Sequence, residues 1–231
     1  MVMTGQIPNP KTQSPNPSVG VLPSVVLNQL GNDLLPASDG RTFTKKDPAT
    51  GRTLCEVARS SRADVELAVA KAKAAQPAWA ATTVVKRGDI LRSIALLMRE
   101  HRDDIASLVA RETGKSKKDA LGETDAAIEM GFFVAGEGRR FYGQTTTSAV
   151  PNKSALVMRQ PLGVAGLIIA ANTPIANVAW KAFPALLCGN SAVMKPSEDT
   201  PYTALAFAEL LRDVGLPPGV FNLVQIGRAH V

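Results

Sequence analysis

The stretch that decides the fold is residues 161–224, PLGVAGLIIAANTPIANVAWKAFPALLCGNSAVMKPSEDTPYTALAFAELLRDVGLPPGVFNLV. Between Gln160 and Met194 the only charged residue is Lys181. A membrane span would account for such a run, but polar residues and a proline at 172–174 interrupt it. The pattern instead predicts strands at 163–169, 191–194 and 220–224, with helices at 175–188 and 201–214. Uncharged strands that alternate with helices are typical of a doubly wound parallel sheet of the α/β class.

Residues 41–160 carry the signals of helices and hairpins. One hairpin is predicted from Thr42–Lys46 and Thr53–Ala58 around the turn Asp47–Gly51, and a second from Thr145–Val150 and Ser154–Gln160. Three helices are predicted between them. The first runs from an N-cap at residue 61 to the proline at 77, and the second carries one apolar stripe and ends at residue 114. The third covers 117–142, where glycines at 122, 131, 136 and 138 indicate close approach of a neighbour.

The two ends of the chain are expected to lie outside the folded unit. Residues 1 to about 40 contain six of the 16 prolines and no aromatic residue, which favours a flexible tail or extended arm. Within it the apolar patch Val19–Leu35 is able to dock on the body, which is predicted to begin at Arg41. At the other end, residues 225–231 are expected to be a non-native tail, because Ile226–Val231 reads like the translation of a sequencing adapter.

Composition and charge exclude several classes of protein. An apolar fraction of 45% allows a sizeable core, and two cysteines cannot form a four-thiolate zinc site, so no metal is expected. The formal net charge of +6 is spread along the chain, so nucleic-acid binding is not expected. The basic runs at 115–118 and 139–140 are interpreted as solvated helix surface. No secretory leader is recognised, which favours the cytoplasm, although a Cys55–Cys188 disulfide stays open.

Polar side chains follow two neighbouring strands of the predicted sheet. Asn172 follows the first strand, and Lys195 and Glu198 follow the second. Ligands of open α/β sheets bind outside the carboxyl ends of the strands, so the two loops are expected to face one crevice. A carboxylate and an ammonium group together suit the hydroxyls of a ribose. The alternatives are a surface lysine with a glutamate at a helix start, and an asparagine that forms the turn from strand to helix or caps the helix.

The motif set resembles the cofactor-binding segment of the aldehyde dehydrogenase superfamily over about Arg41–Val224. The resemblance implies a Rossmann-like parallel sheet, incomplete here, after a helical N-terminal region with two hairpins. It rests on Glu112-Thr113-Gly114-Lys115, Asn172-x-Pro174, Ala179-Trp180-Lys181-x-x-Pro184-Ala185-Leu186, Gly189-Asn190, Lys195-Pro196-Ser197-Glu198-x-Thr200-Pro201 and Gly215-Leu216-Pro217-Pro218-Gly219-Val220-x-Asn222.

By that resemblance, roles fall on particular residues. The Asn172 side chain would stabilise the oxyanion, and Lys195 and Glu198 would hold the adenosine ribose of the cofactor. The backbone at Ile168–Ile169 would line the same site, and Ser197 would be placed to contact a 2′-phosphate. A carboxylate on the ribose repels a 2′-phosphate, so NAD is expected, with NADP use left open.

The resemblance also implies a reaction. An aldehyde would be oxidised to a carboxylic acid through a cysteine thiohemiacetal and thioester. The family's nucleophile and general base would lie beyond residue 231, so this chain alone is expected to be inactive. The hairpin at 145–160 resembles the arm that pairs subunits, which implies a homo-oligomer at full length. Two alternatives are a non-catalytic module that binds a dinucleotide or oligomerises, and an acyl-phosphate reductase.

Overall fold

The computed structural model describes residues 21–227. Ten strands and six helices follow one another in this range: β1 (Val25–Val26), β2 (Asn28–Leu30), β3 (Asp33–Leu35), β4 (Thr42–Lys46), β5 (Thr53–Ala58), α1 (Arg62–Ala81), α2 (Val84–Glu100), α3 (Arg102–Thr113), α4 (Lys117–Glu137), β6 (Gln144–Thr147), β7 (Ser154–Val157), β8 (Val164–Ile168), α5 (Pro174–Leu187), β9 (Ser191–Lys195), α6 (Pro201–Asp213) and β10 (Phe221–Leu223).

The main sheet has five strands in the order β3-β2-β10-β9-β8. Strands β8, β9 and β10 are parallel, as their alternation with helices predicted. Three aromatic rings join the sheet to its helices. Phe207 of α6 packs edge-on between Phe183 of α5 and Phe221 of β10, with centroids 5.8 and 6.0 Å away. The α/β class is therefore confirmed, and each predicted strand and helix of this segment lies within a few residues of its expected place.

The tail prediction for residues 1–40 is wrong for the part that the structure describes from Val25 onward. Strand β2 lies inside the main sheet, antiparallel to both β10 and β3. The backbone N–H of Gly31 donates to Asn222 Oδ1 at 2.9 Å, and Asn28 Oδ1 accepts from Gln225 N at 2.7 Å. Buried amide side chains bond this segment to the rest of the fold, which its proline-rich composition did not indicate. The described part of the apolar patch Val19–Leu35 packs on the body. Residues 1–20 lie outside the described part.

The predicted start of a tail at residue 225 also needs correction. Gln225 is buried, its Nε2 donates to Pro201 O at 3.0 Å, and its main-chain oxygen accepts from Ser60 N at 2.9 Å. These bonds join the chain after β10 to α6 and to the turn before α1. The folded unit therefore extends past Val224, while residues 228–231 lie outside the described part.

The helical region matches its prediction except at three boundaries. Helix α1 begins after Ser61 but continues through Pro77 to Ala81, because Trp79 is buried and its Nε1 donates to Leu186 O at 3.0 Å. The predicted second helix is two helices, α2 and α3, separated at His101. Helix α4 ends at Glu137 rather than at residue 142.

Both predicted hairpins form, as β4–β5 and β6–β7. Close approach is confirmed at the glycines at 131 and 138 but is wrong at 122 and 136, where an added Cβ would meet nothing within 4 Å. A Cβ on Gly131 would lie 2.8 Å from Phe183 Cζ and 2.9 Å from Ala95 Cβ. Helix α4 therefore packs closely between α2 and α5, which positions it beneath the loops described next.

Candidate functional site at the carboxyl ends of β8 and β9

The pairing of β8 with β9 places two loops side by side. Ile168 is the register partner of Lys195, and Ile169 N donates to Lys195 O at 3.0 Å. The chain leaves β8 toward Asn172 and leaves β9 toward Glu198 from adjacent positions. Parallel strands end at one edge of a sheet, which is where ligands of this architecture bind.

The last residue of β9 and the turn that follows it present an ammonium and a carboxylate together. Lys195 Nζ lies 3.5 Å from Glu198 Oε2, and each side chain is 27% exposed. The groups are close enough to share a ligand and open enough to reach one. Between them, Ser197 is buried and its Oγ accepts from Asp199 N at 3.2 Å, so this hydroxyl helps to form the turn into α6.

The loop after β8 exposes Asn172. The residue that caps α5 is Thr173, not Asn172, so the capping alternative does not describe the asparagine. Asn172 Oδ1 accepts from Asn177 Nδ2 at 3.4 Å, which leaves its amide nitrogen as the donor side. The main-chain oxygen of Asn172 accepts from Lys115 Nζ at 2.7 Å. An exposed carboxamide on an anchored backbone is suited to donate to a developing negative charge.

A buried carboxylate anchors the start of α5. Glu123 of α4 accepts from the backbone N–H groups of Ile175 at 2.9 Å and Ala176 at 3.4 Å through Oε1. Its Oε2 accepts from Lys115 Nζ at 2.5 Å. The first N–H groups of a helix have no partner within the helix and carry a partial positive charge, so a carboxylate stabilises them.

A second buried carboxylate anchors α6 in the same way. Glu112 accepts from Tyr202 N at 2.9 Å through Oε1, and from Thr203 N at 2.7 Å and Thr203 Oγ1 at 2.6 Å through Oε2. Burial raises the pKa of this carboxyl to about 7, although the bonds from Thr203 and Tyr202 act in the opposite direction. Each loop of the site is thus followed by a helix whose start is held by a buried carboxylate of the helical region, Glu123 for α5 and Glu112 for α6.

Sequence reasoning missed the anchoring residues. The basic run 115–118 was expected to be solvated, yet Lys115 is only 19% exposed and bonds both Glu123 and the Asn172 loop. Lys181, the one charge in its apolar stretch, donates from Nζ to Ile168 O. A single charged residue in an apolar stretch indicates a specific partner, so the sequence alone could have singled out Lys181. Glu123 gave no local signal, because the helix start that it holds lies 52 and 53 residues away.

The cysteines belong to the structure rather than to this site. Both Cys55 and Cys188 are free thiols, so the disulfide that the sequence left open does not form. Burial raises the pKa of the Cys55 thiol to about 11, which keeps it protonated and unreactive. Within residues 21–227, no group of three or more His, Cys, Asp and Glu side chains is placed to hold a metal ion.

Comparison with known proteins identifies the family. A model of the aldehyde dehydrogenase family matches residues 35–231. The chain belongs to the aldehyde dehydrogenase family. The match begins at the last residue of β3, so it includes residues 35–40 of the segment that the sequence had placed in the N-terminal tail. It also extends over residues 225–231, which the sequence had placed in a non-native tail.

Three relatives from the aldehyde dehydrogenase family illustrate the similarity. The NADP(+) succinate-semialdehyde dehydrogenase of Escherichia coli (strain K12) is 39% identical over 195 residues, which is 84% of this chain and 40% of that protein. An aldehyde dehydrogenase structure from Brucella melitensis biovar abortus 2308 has a TM-score of 0.87 at 34% identity, covering 91% of this chain and 43% of that one. A variant of Staphylococcus aureus betaine aldehyde dehydrogenase bound to NAD+ has a TM-score of 0.85 at 29% identity, covering 87% and 42%. The chain thus spans less than half the length of these relatives.

Proposed function

We propose that this chain is the cofactor-binding part of an aldehyde dehydrogenase that oxidises a small-molecule aldehyde to a carboxylic acid with NAD or NADP. The observation that carries the proposal is the register of β8 with β9, which sets the Asn172 loop beside the Lys195–Glu198 turn. The E. coli relative is named for NADP(+) and the S. aureus relative binds NAD+, which supports a nicotinamide dinucleotide. Because the chain spans less than half of these relatives, the activity proposed is that of a longer protein.

The residues at the strand ends fit the cofactor. Glu198 would accept hydrogen bonds from the ribose hydroxyls and Lys195 would donate to them, because both side chains are partly exposed. The main chain at Ile168–Ile169 and the turn at Ser197 border the same place. When bound, the dinucleotide accepts the hydride that the aldehyde carbon loses.

Asn172 is proposed to stabilise the oxyanion. Attack on an aldehyde carbonyl places a negative charge on its oxygen, and a fixed carboxamide N–H donates to that charge without a proton transfer. The nucleophile, a cysteine that forms a thiohemiacetal and then a thioester, and the base that activates water are contributed outside this sequence. Neither Cys55, which is buried in the β4–β5 hairpin, nor Cys188, after α5, fills that role.

The test uses the full-length protein that carries this chain. We expect aldehyde-dependent reduction of NAD or NADP, and a loss of about 100- to 1,000-fold in kcat for Asn172→Ala. Asn32→Ala, an exposed asparagine in the turn between β2 and β3, is the matched control and leaves kcat unchanged. If the full-length protein binds the dinucleotide and oxidises no aldehyde, the non-catalytic alternative is correct.

We further propose that the full-length protein is a homo-oligomer of the cytoplasm. Every residue of β6 and β7 is exposed, and the hairpin carries apolar side chains at Leu156, Val157 and Met158. An exposed apolar hairpin supports a partner subunit. The free thiols of Cys55 and Cys188 support a reducing compartment. None of the helices within residues 21–227 is long and apolar enough to cross a bilayer.

A further inference from the structure

We propose that Lys115 and Glu123 are positioning residues for Asn172: they hold the backbone from which its carboxamide meets the substrate. The inference rests on the proposed function of Asn172. It comes from one connected set of bonds in which the Lys115 ammonium donates both to Glu123 Oε2 and to the main-chain oxygen of Asn172. Neither residue belongs to the cofactor or oxyanion sets described above.

The bonds fix the loop at two successive points. Glu123 Oε1 holds the N–H groups of Ile175 and Ala176, so the first turn of α5 cannot shift against α4. Lys115 holds the carbonyl of Asn172, which is attached to the same Cα as the carboxamide side chain. With the carbonyl fixed, the side chain moves only about its own two torsions. The bond from Asn177 Nδ2 to Asn172 Oδ1, at 3.4 Å, restricts these torsions and directs the amide nitrogen.

The charges make this set rigid. The Glu123 side chain is 4% exposed and that of Lys115 is 19% exposed. Hydrogen bonds between ionised partners are shorter and stronger than neutral ones, and both residues form them here. Removing one partner leaves the other charge buried without compensation, so the pair acts as a unit.

The anchor of α6 shows that capping alone does not require such a lysine. Glu112 holds Tyr202 N and Thr203 N, as Glu123 holds the start of α5. Its neighbouring cation, Lys45, donates to the main-chain oxygen of Glu112 itself and not to the turn that carries Lys195 and Glu198. The contact from Lys115 to the main-chain oxygen of Asn172 therefore has no counterpart at the turn before α6.

The main test compares kinetic constants of Lys115 variants in the full-length enzyme. Lys115→Met is expected to lower kcat by up to about 100-fold, because small displacements of a positioned group cost that much. The KM for NAD is expected to stay within twofold, since Lys195 and Glu198 lie on the separately anchored turn. Lys115→Arg, which keeps the charge and the donors, is expected to recover much of kcat. Exposed Lys118→Met is the matched control and changes neither constant.

Three outcomes would overturn the proposal. A Lys115→Met enzyme with kcat within twofold of the unaltered enzyme would show that the contact does not position Asn172. A parallel loss of kcat, NAD affinity and melting temperature would show a general structural role. Unchanged kcat in Asn172→Ala would remove the proposed function of Asn172 together with this inference, whereas a loss there without one in Lys115→Met removes the inference alone.

A second measurement needs no activity. Amide hydrogen exchange is compared in this chain with and without Lys115→Met or Glu123→Gln. We expect faster exchange at Ile175 and Ala176 in both variants, with protection at Tyr202 and Thr203 unchanged. Equal exchange at Ile175 and Ala176 in the variants and the unaltered chain would contradict the proposed link between Lys115, Glu123 and the loop.

Discussion

Glu112 lies at the end of α3 with its carboxylate among three donors at the start of α6. Burial raises its pKa to about 7 from the ordinary 4.5, so the ionised form is less stable in the folded chain than in the unfolded chain. The carboxyl is protonated in both states below pH 4.5 and ionised in both above about 7. Its contribution to stability is therefore complete at low pH and is lost as the pH rises through that window.

Glu112→Gln should flatten this dependence. The contribution of Glu112 to the free energy of unfolding is expected to fall by about 3 kcal/mol between pH 4.5 and about 7, and the glutamine variant should lack that fall. Denaturant unfolding at several pH values measures it, as the difference between the unaltered chain and the variant. Exposed Glu100→Gln is the control. Parallel pH profiles for the unaltered chain and Glu112→Gln would contradict the assignment.

Glu198 is expected to set the choice between NAD and NADP. Its carboxylate beside Lys195 repels a 2′-phosphate, so Glu198→Gln should raise the ratio of kcat/KM with NADP to that with NAD by roughly tenfold in the full-length enzyme. Asp199→Asn removes a neighbouring exposed charge and serves as the control. An unchanged ratio in Glu198→Gln, or an equal rise in Asp199→Asn, would exclude a specific role for Glu198.

The positions of some site residues could be predicted from the sequence, and those of others could not. Lys195 and Glu198 could be predicted because they follow a recognisable strand, and the strand end places them. Glu112, Lys115 and Glu123 act across tertiary contacts, with Glu112 reaching residues 90 and 91 positions away. No local pattern reports such a distance. These residues are buried or partly buried only because the helices pack against the sheet, and a local sequence pattern does not show that packing.

At the scale of elements, the short strands β1, β2 and β3 join the two sheets of the body. Strand β1 pairs in parallel with β5 of the hairpin sheet, and β2 follows after one residue and pairs with β10 of the main sheet. The segment is held to both sheets by backbone hydrogen bonds. Composition had predicted a tail because two- and three-residue strands carry too little periodicity to be recognised.

Leu30 tests whether this segment contributes to stability. The side chain is 2% exposed and packs with Ala68 and Val224. Leu30→Ala is expected to lower the free energy of unfolding by about 2 to 5 kcal/mol, through lost burial and the cavity left behind. Leu34→Ala, at a site 41% exposed on the neighbouring strand, should cost about 1 kcal/mol or less. Equal small losses at both sites in denaturant unfolding would show that the segment is not part of the cooperative fold.

Other elements show where sequence reasoning succeeds and where tertiary packing overrides it. The hairpin β4–β5 was predicted at its observed bounds because turn residues and β-rich runs are local signals. The proline at 77 predicted a helix end, yet the helix continues because Trp79, two residues further on, is buried and hydrogen-bonded to Leu186. The apolar stripe continues through His101 although the helix ends there, because α2 and α3 both pack their apolar residues against α4.

At the scale of the molecule, every residue of the two strands of the hairpin β6–β7 is exposed. If it joins subunits, a charge on its apolar side chains should disrupt the oligomer. Val157→Asp in the full-length protein is expected to shift the mass measured by light scattering after size exclusion to a smaller species. Leu67→Asp places the same charge on exposed α1 and should leave the mass unchanged. An unaltered mass for Val157→Asp would exclude the hairpin as a required contact.

We propose that the carboxyl ends of β8 and β9 form one nicotinamide dinucleotide site. Titration of the isotope-labelled 231-residue chain with NAD, followed by backbone amide resonances, tests it most directly. We expect shifts concentrated at 168–173 and 195–200, and we expect Lys195→Ala together with Glu198→Ala to abolish them. Absence of shifts at these residues at millimolar NAD, or shifts confined to another face, would contradict it.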